Sequence, residues 1–158
     1  MVRLRHRYLV TEYSVTDGRD SGANNAAIRS NSVMEALTSS IKRLHGVHGV
    51  AVTKAGLLVK YINNSTQILF IRMRRSAFTL VTSAIPFLRQ VDGKNVTFKT
   101  LYTGATINQC NKFLVKYQRR KLEEQYGSLK TDLQRQLFER ELGNLKPYSV
   151  QIGNVLNV

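Results

Sequence analysis

Acidic residues are nearly missing from the middle of this chain: between Ala36 and Leu122 there is one, Asp92. A carboxylate-held metal centre is therefore excluded from this stretch, because Mg²⁺ is held by clustered oxygen ligands and a single acid, even with Glu12 added, does not make such a cluster. Cysteine is reduced to Cys110, which rules out an intramolecular disulfide framework and suits a reducing, intracellular compartment. Tryptophan is absent and proline occurs twice. With 42% hydrophobic residues, the composition argues for a packed globular fold and against a disordered basic tail. No apolar run approaches the ~20 residues of a membrane-spanning helix. The opening MVRLRHRYLV carries charge but neither the apolar core nor the small-residue cleavage site of a signal peptide. No apolar, Lys-faced helix with Trp or Phe is present to lie on a bilayer. Phosphate-cradling Gly-rich loops, dinucleotide fingerprints and nucleophile elbows are also missing.

What the same segment does contain is fifteen Lys and Arg, which supply essentially all of the formal net charge of +14. A folded surface so one-sided repels itself and calls for a polyanion. Nucleic acid is the natural one, because neutralising phosphates releases counterions. The 158 residues suffice for one domain with appendages.

The pattern of elements predicts an α+β fold. Arg7 to Val15 reads as a first strand, and Asp17 to Asn31, full of Gly, Ser, Asn and Asp, as a mobile loop. Ser32-Val-Met-Glu35 has the form of a capping box, opening a helix with Val33, Leu37, Ile41 and Leu44 on its apolar face and Gly46 as its stop. Gly56–Ile62 and Gln67–Met73 read as strands around an Asn63–Thr66 hairpin turn. A second helix is predicted from about Ser76 to Gln90, interrupted at Pro86, followed by a turn at Asp92-Gly-Lys94 and a strand from Val96 to Thr103. Thr106-Ile-Asn-Gln109 is a second capping box, opening a long helix toward Tyr126. The order β-α-β-β-α-β-α is that of a split βαβ, ferredoxin-like two-layer sandwich with an antiparallel sheet and extra C-terminal helices. Residues 1–126 form the sandwich domain with a basic arm at 1–7. Residues 127–158 form an amphipathic helix, with Leu129, Leu133 and Leu137 on one face, and a tail. Asp132–Arg135 and Arg135–Glu139 neutralise that helix, so it docks on its own domain or on a partner subunit. RNA-recognition domains share the strand order, but here the third strand offers only Phe70, so stacking of bases across the sheet is not expected.

Three separate basic surfaces follow from spacing. Arg3, Arg5 and Arg7 alternate along an extended arm. Arg72, Arg74 and Arg75 close the third strand, the first two on the face of Phe70 and the last opposite or in the next turn. On the last long helix Ile107, Cys110, Leu114 and Tyr117 face a core, while Lys112, Lys116 and Arg119 each follow one of them by two positions, about 200° around, with Arg120 and Lys121 extending the block. A His6/His45 acid–base pair for RNA cleavage and a His45/His48 metal pair are the enzymatic alternatives, and both lack supporting groups. Cys110 falls on the apolar stripe and reads as a buried small hydrophobe.

Met1-Val-Arg-Leu-Arg-His-Arg-Tyr-Leu9, Ile71-Arg-Met-Arg-Arg75 and Thr103-Gly-Ala-Thr-Ile-Asn-Gln-Cys-Asn-Lys-Phe-Leu-Val-Lys-Tyr117 together resemble the family of the fifth "processing of precursor" protein, across roughly residues 1–121. This family provides the small protein subunit shared by archaeal and eukaryotic ribonuclease P and by eukaryotic ribonuclease MRP. Arg5 stands where the family commonly has Lys, and Ala105 where it commonly has a second Gly. The resemblance implies a non-catalytic subunit that holds a catalytic RNA core in shape, with Mg²⁺ held by that RNA and none bound by the protein. Its substrates would be precursor tRNA, cleaved at the 5′ leader, and ribosomal RNA precursors in the sister complex. Implied partners are the RNA, a related small sandwich subunit forming a heterodimer, and a barrel-fold subunit, with no membrane, in the nucleus and nucleolus. Carried over by position, the RNA-binding residues are Arg3, Arg5, Arg7, Tyr8, Arg72, Arg74, Arg75, Lys112, Lys116 and Arg119, to which the charge run adds Arg120, with no catalytic residue among them. Charge pattern alone suits a structural RNA-binding protein of another particle, such as the ribosome, equally well.

Overall fold

A computed structural model describes residues 5–16 and 27–128. Its contacts divide the chain into two compact units, Met1–Asn111 and Lys112–Val158. The first unit runs β1 (His6–Val15), α1 (Ser30–Lys54), β2 (Leu58–Asn63), β3 (Ile68–Arg74), α2 (Phe78–Ala84), β4 (Gln90–Val91) and β5 (Lys94–Gly104). Two short 3-10 turns, Arg75–Ala77 and Ile85–Phe87, flank α2. α3 (Ile107–Ser128) opens in the first unit and supplies the described part of the second. Arg3, most of the Asp17–Asn31 loop and the predicted Leu129–Leu137 helix lie outside the described residues.

The strands form one antiparallel sheet in the order β2-β3-β1-β5-β4. β3 is inserted between β1 and β2, the strands joined through α1, which is the split βαβ arrangement predicted from element order. Period-2 alternation sends Leu9 and Tyr13 of β1 and Leu69, Ile71 and Met73 of β3 into a core shared with Val33, Leu37 and Ile41 of α1 and with Val81, Ala84 and Ile85. The intervening residues Val10, Ile68 and Phe70 are buried as well. β3 is therefore covered on both faces at its centre, which is why Ile68–Ile71 reads as an unbroken apolar run.

Several boundaries differ from the sequence expectation, for physical reasons. α1 starts at Ser30, two residues before the capping box, and Arg29 caps it without a side-chain bond. A tertiary anchor sets the start: Ile28 is buried and its N–H donates to Asn64 Oδ1 at 3.2 Å, while Val33 N–H closes the first turn on the Arg29 carbonyl. Gly46 does break the helix, at φ 65° and ψ −161°, a conformation an L side chain resists. The chain then resumes helix to Lys54, with Gly49 and Thr53 buried and Thr53 Oγ1 donating to the Gly49 carbonyl at 2.8 Å. Leu44, expected on the buried stripe, sits beside this break and is exposed. α2 ends at Ala84, not near Gln90, because Pro86 has no N–H to continue the ladder. The freed segment forms β4, which turns through Asp92 and Gly93, both at positive φ, in a two-residue hairpin onto β5. The second capping box forms in a shifted version: Gln109 N–H donates to Thr106 Oγ1 as predicted, but the Gln109 amide oxygen accepts from the N–H of Ala105, one residue ahead of the cap, at 3.0 Å.

Candidate nucleic-acid interface

Antiparallel pairing places His6 opposite Arg74, Tyr8 opposite Arg72, and Arg7 opposite Met73. Alternation then puts His6, Tyr8, Phe70, Arg72 and Arg74 on one face of the sheet, with Arg7 on the other beside Leu9 and Met73. Arg75 enters the 3-10 turn, exposed, and its N–H donates to the Arg5 carbonyl at 3.0 Å, holding the chain ahead of β1 against that turn. The arm and the strand end, expected as separate surfaces, thus meet at one corner of the sheet: Arg72 and Arg74 share a face with His6 and Tyr8, Arg5 and Arg75 are joined through the backbone, and Arg7 lies on the opposite face.

Electrostatics mark the cluster. Arg72 and Arg74 are half-buried, and the Nε of each is out of solvent without a hydrogen-bond acceptor among the described residues. Buried donors normally find partners, and leaving one unmade costs ~1–3 kcal/mol. Burial, then the positive charges of Arg72 and Arg74, hold the His6 pKa below its ordinary 6.5. A neutral imidazole is the form that tolerates two neighbouring guanidinium groups. The stem of Arg74 crosses Gly56 so closely that a Cβ there would lie 2.5 Å from Arg74 Cγ and 3.3 Å from its Nε. Gly56, read from sequence as the start of a strand, is the floor on which Arg74 rests. Only the register of β3 against the end of α1 reveals that role, so no local signal announces it.

The turn from β5 into α3 is fixed as tightly. A Cβ on Gly104 would sit 2.7 Å from Cys110 Sγ, and the thiol donates to the Tyr8 carbonyl at 3.8 Å, joining α3's first turns to β1. Burial pushes the Cys110 thiol up to about 11, partly offset by a backbone hydrogen bond from Gly104. Phe70 is 1% exposed and lies against Tyr61 with ring centroids 5.8 Å apart, so it offers no face to a base. His45 shares a 2.8 Å hydrogen bond with Ser83 Oγ, whereas His6 sits opposite Arg74 at the end of β1, so the two histidines do not form an acid–base pair.

In the second unit Lys112, Lys116, Arg119 and Arg120 are all exposed, while Leu114, between them in sequence, is buried, and so is Cys110 before them. Phe113 and Tyr117 stack at 6.0 Å, and Lys121 Nζ lies 5.0 Å from the Tyr117 ring centroid. That aromatic ladder makes the helix side stiffer than a row of free lysines, since a cation–π contact restrains the ammonium.

A family model described as the Rpp14/Pop5 family matches residues 7–115. This chain belongs to that family. The matched span takes in Arg7, Tyr8, Arg72, Arg74, Arg75 and Lys112, and leaves Arg5, Lys116, Arg119 and Arg120 beyond its ends. Among the relatives, the human ribonuclease P/MRP protein subunit POP5 is 37% identical over 126 residues, covering 77% of this chain and 75% of the relative. The zebrafish (Danio rerio) protein of the same name is 34% identical over 142 residues, with coverage of 86% and 82%. A chain of the cryo-electron microscopy structure of yeast ribonuclease MRP superposes with a TM-score of 0.48 at 16% identity, covering 79% of this chain and 95% of its own, too loosely to carry an argument.

Proposed function

We propose that this member of the Rpp14/Pop5 family is an RNA-binding protein subunit of a ribonuclease P or ribonuclease MRP ribonucleoprotein. The observation that carries the reading is the Arg72–Arg74 pair, two partly desolvated guanidinium groups with Nε donors awaiting acceptors, in a segment with no acid nearer in sequence than Asp92. Phosphate oxygens supply such acceptors, and charge-assisted bonds to them are among the stronger ones proteins make. The names of the human and zebrafish relatives supply the particle.

On this reading the protein screens phosphate repulsion and fixes the shape of an RNA core that does the cutting. The substrates are precursor tRNA, which loses its 5′ leader, and ribosomal RNA precursors. Mg²⁺ is held by the RNA. A related small sandwich subunit and a barrel-fold subunit complete the protein surroundings, in the nucleus and nucleolus.

The test is to capture the full-length chain from cells, sequence the RNA that comes with it, and assay the captured particle on precursor tRNA. A small catalytic RNA with 5′-leader cleavage is the expected result. Ribosomal subunits in its place, without cleavage, would overturn the reading.

A further inference from the structure

Away from the β1–β3 cluster, the first unit carries an open groove of about 470 Å³ between α1 and the segment that follows α2. Ala36, Ser39, Ser40 and Arg43 line one wall; Phe87, Leu88, Arg89, Gln90 and Asn95 line the other. The volume is in the range of sites that hold small ligands. Both arginines are exposed, no acid lines the groove, and Phe87 leaves 50% of its surface in water.

Single exposed apolar residues are common on proteins and mean little alone. Phe87 differs in how it is held. Pro86 sets the backbone of the 3-10 turn, Leu88 N–H donates to the Ile85 carbonyl at 3.0 Å, and Ile85 and Leu88 are both buried. The backbone that carries the ring is therefore anchored on both sides. The Arg89 backbone is held in turn, since its carbonyl accepts from Val96 N–H at 2.8 Å. An exposed ring on a held backbone, sharing a groove with two arginines and otherwise mostly polar side chains, is the combination that binds an unpaired nucleotide: the base stacks and the phosphates meet the cations.

We propose that this groove binds single-stranded RNA, with a base on Phe87 and the flanking phosphates on Arg43 and Arg89. The proposal rests on the RNA-binding reading above but concerns a different surface and different residues. Duplex RNA has no free base to offer the ring, so the groove discriminates strandedness, which the β1–β3 arginines do not.

The experiment uses the full-length chain with two probes, a fluorescein-labelled oligouridylate dodecamer and a twelve-base-pair RNA duplex. Phe87→Ala is expected to weaken dodecamer binding about tenfold and duplex binding less than about twofold, with Phe87→Tyr restoring the dodecamer. Arg43→Gln with Arg89→Gln is expected to lower the salt dependence of dodecamer binding by about two phosphate contacts. Dodecamer affinity unchanged in Phe87→Ala, or equal losses on both probes, overturns the groove proposal alone. A wild-type chain that binds neither probe overturns the RNA-binding reading beneath it. RNA binding intact in Phe87→Ala, with a protein partner lost from the purified particle, makes the groove a protein interface and also overturns the proposal.

Discussion

Gly56→Ala tests the interface without touching a charge. The added Cβ would stand 2.5 Å from Arg74 Cγ, 3.2 Å from its Cδ and 3.3 Å from its Nε. Ordinary contact begins near 3.4 Å, so Cγ must retreat by roughly 1 Å, and because it lies at the root of the side chain the guanidinium moves further. The fold itself has little to lose. No backbone strain is involved, since Gly56 does not take a positive φ. The clash is with the root of the Arg74 side chain, which must leave its rotamer at ~0.5–1.5 kcal/mol, while the methyl restricts the unfolded chain by ~0.4–1 kcal/mol in favour of folding. Lost packing of the Arg74 stem opposes that gain, and the net change in stability is expected within ~1 kcal/mol.

RNA affinity is a different matter. A displaced guanidinium forfeits a charge-assisted hydrogen bond worth ~1.5–3 kcal/mol, or about tenfold and upward in affinity. The measurement pairs thermal melting with RNA-binding titrations at several salt concentrations, on Gly56→Ala, Arg74→Ala and the double variant. Expected are a melting point near wild type, a loss of affinity in both single variants, and no further loss in the double, since both act through one group. Wild-type affinity in Gly56→Ala, or additive losses in the double variant, would refute the reasoning that Gly56 positions Arg74 for RNA.

Five further outcomes follow from the same geometry. His6, with its pKa held below 6.5 by burial and by Arg72 and Arg74, stabilises the fold while neutral; that contribution is complete above pH 6.5 and is lost as pH falls through the lowered value, so stability should drop on acidification and His6→Gln should flatten the drop in pH-dependent melting. Phosphates seated at Arg72 and Arg74 reverse the sign of the local field, so a histidine titration by NMR should show the His6 pKa rise on RNA binding. Changing Lys112, Lys116, Arg119 and Arg120 together to Gln should reduce the salt slope of RNA binding by about three to four units while leaving melting nearly unchanged, because these side chains are exposed. Gly104→Ala, which drives a Cβ to 2.7 Å from Cys110 Sγ, should cost ~1–3 kcal/mol in melting experiments, with Cys110→Ala recovering part of the loss. The Cys110 thiol, pushed up to about 11, should resist alkylation at pH 8 until urea unfolds the chain.

The elements legible in the sequence were those whose signal is local. Alternation in His6–Val15, the unbroken apolar run of Ile68–Ile71, the Thr106–Gln109 capping box and the two-faced pattern of α3 all reflect interactions within a few residues or one face. They led to the split βαβ arrangement, without β4, and to Arg72 and Arg74 on the face of Phe70. Where tertiary contact overrides local preference, the sequence misled: Ile28 and Asn64 move the start of α1 past a well-formed capping signal, and burial of Gly49 and Thr53 carries helix on beyond Gly46. Gly56 and the joining of Arg5 to Arg75 were not legible, since each depends on which strand end lies beside which loop.

The scarcity of acid and the buried guanidinium donors are two sides of one arrangement. In an ordinary sheet, arginines at Arg72 and Arg74 would have carboxylates across the strand, and their Nε donors would be satisfied in the free protein. Here their cross-strand neighbours are His6, Tyr8 and Leu58. A carboxylate at any of those positions would pair the guanidinium, and a phosphate would then have to break that pair before binding. Leaving the donors unmatched lowers the stability of the free protein by the desolvation they suffer, and the same amount returns when phosphate arrives, since a satisfied donor has no such gain to make. The exposed lysines of α3 carry no comparable penalty and so no comparable gain, at ~1 kcal/mol or less each. Affinity should therefore concentrate at the β1–β3 cluster, with α3 contributing mainly long-range attraction that salt removes.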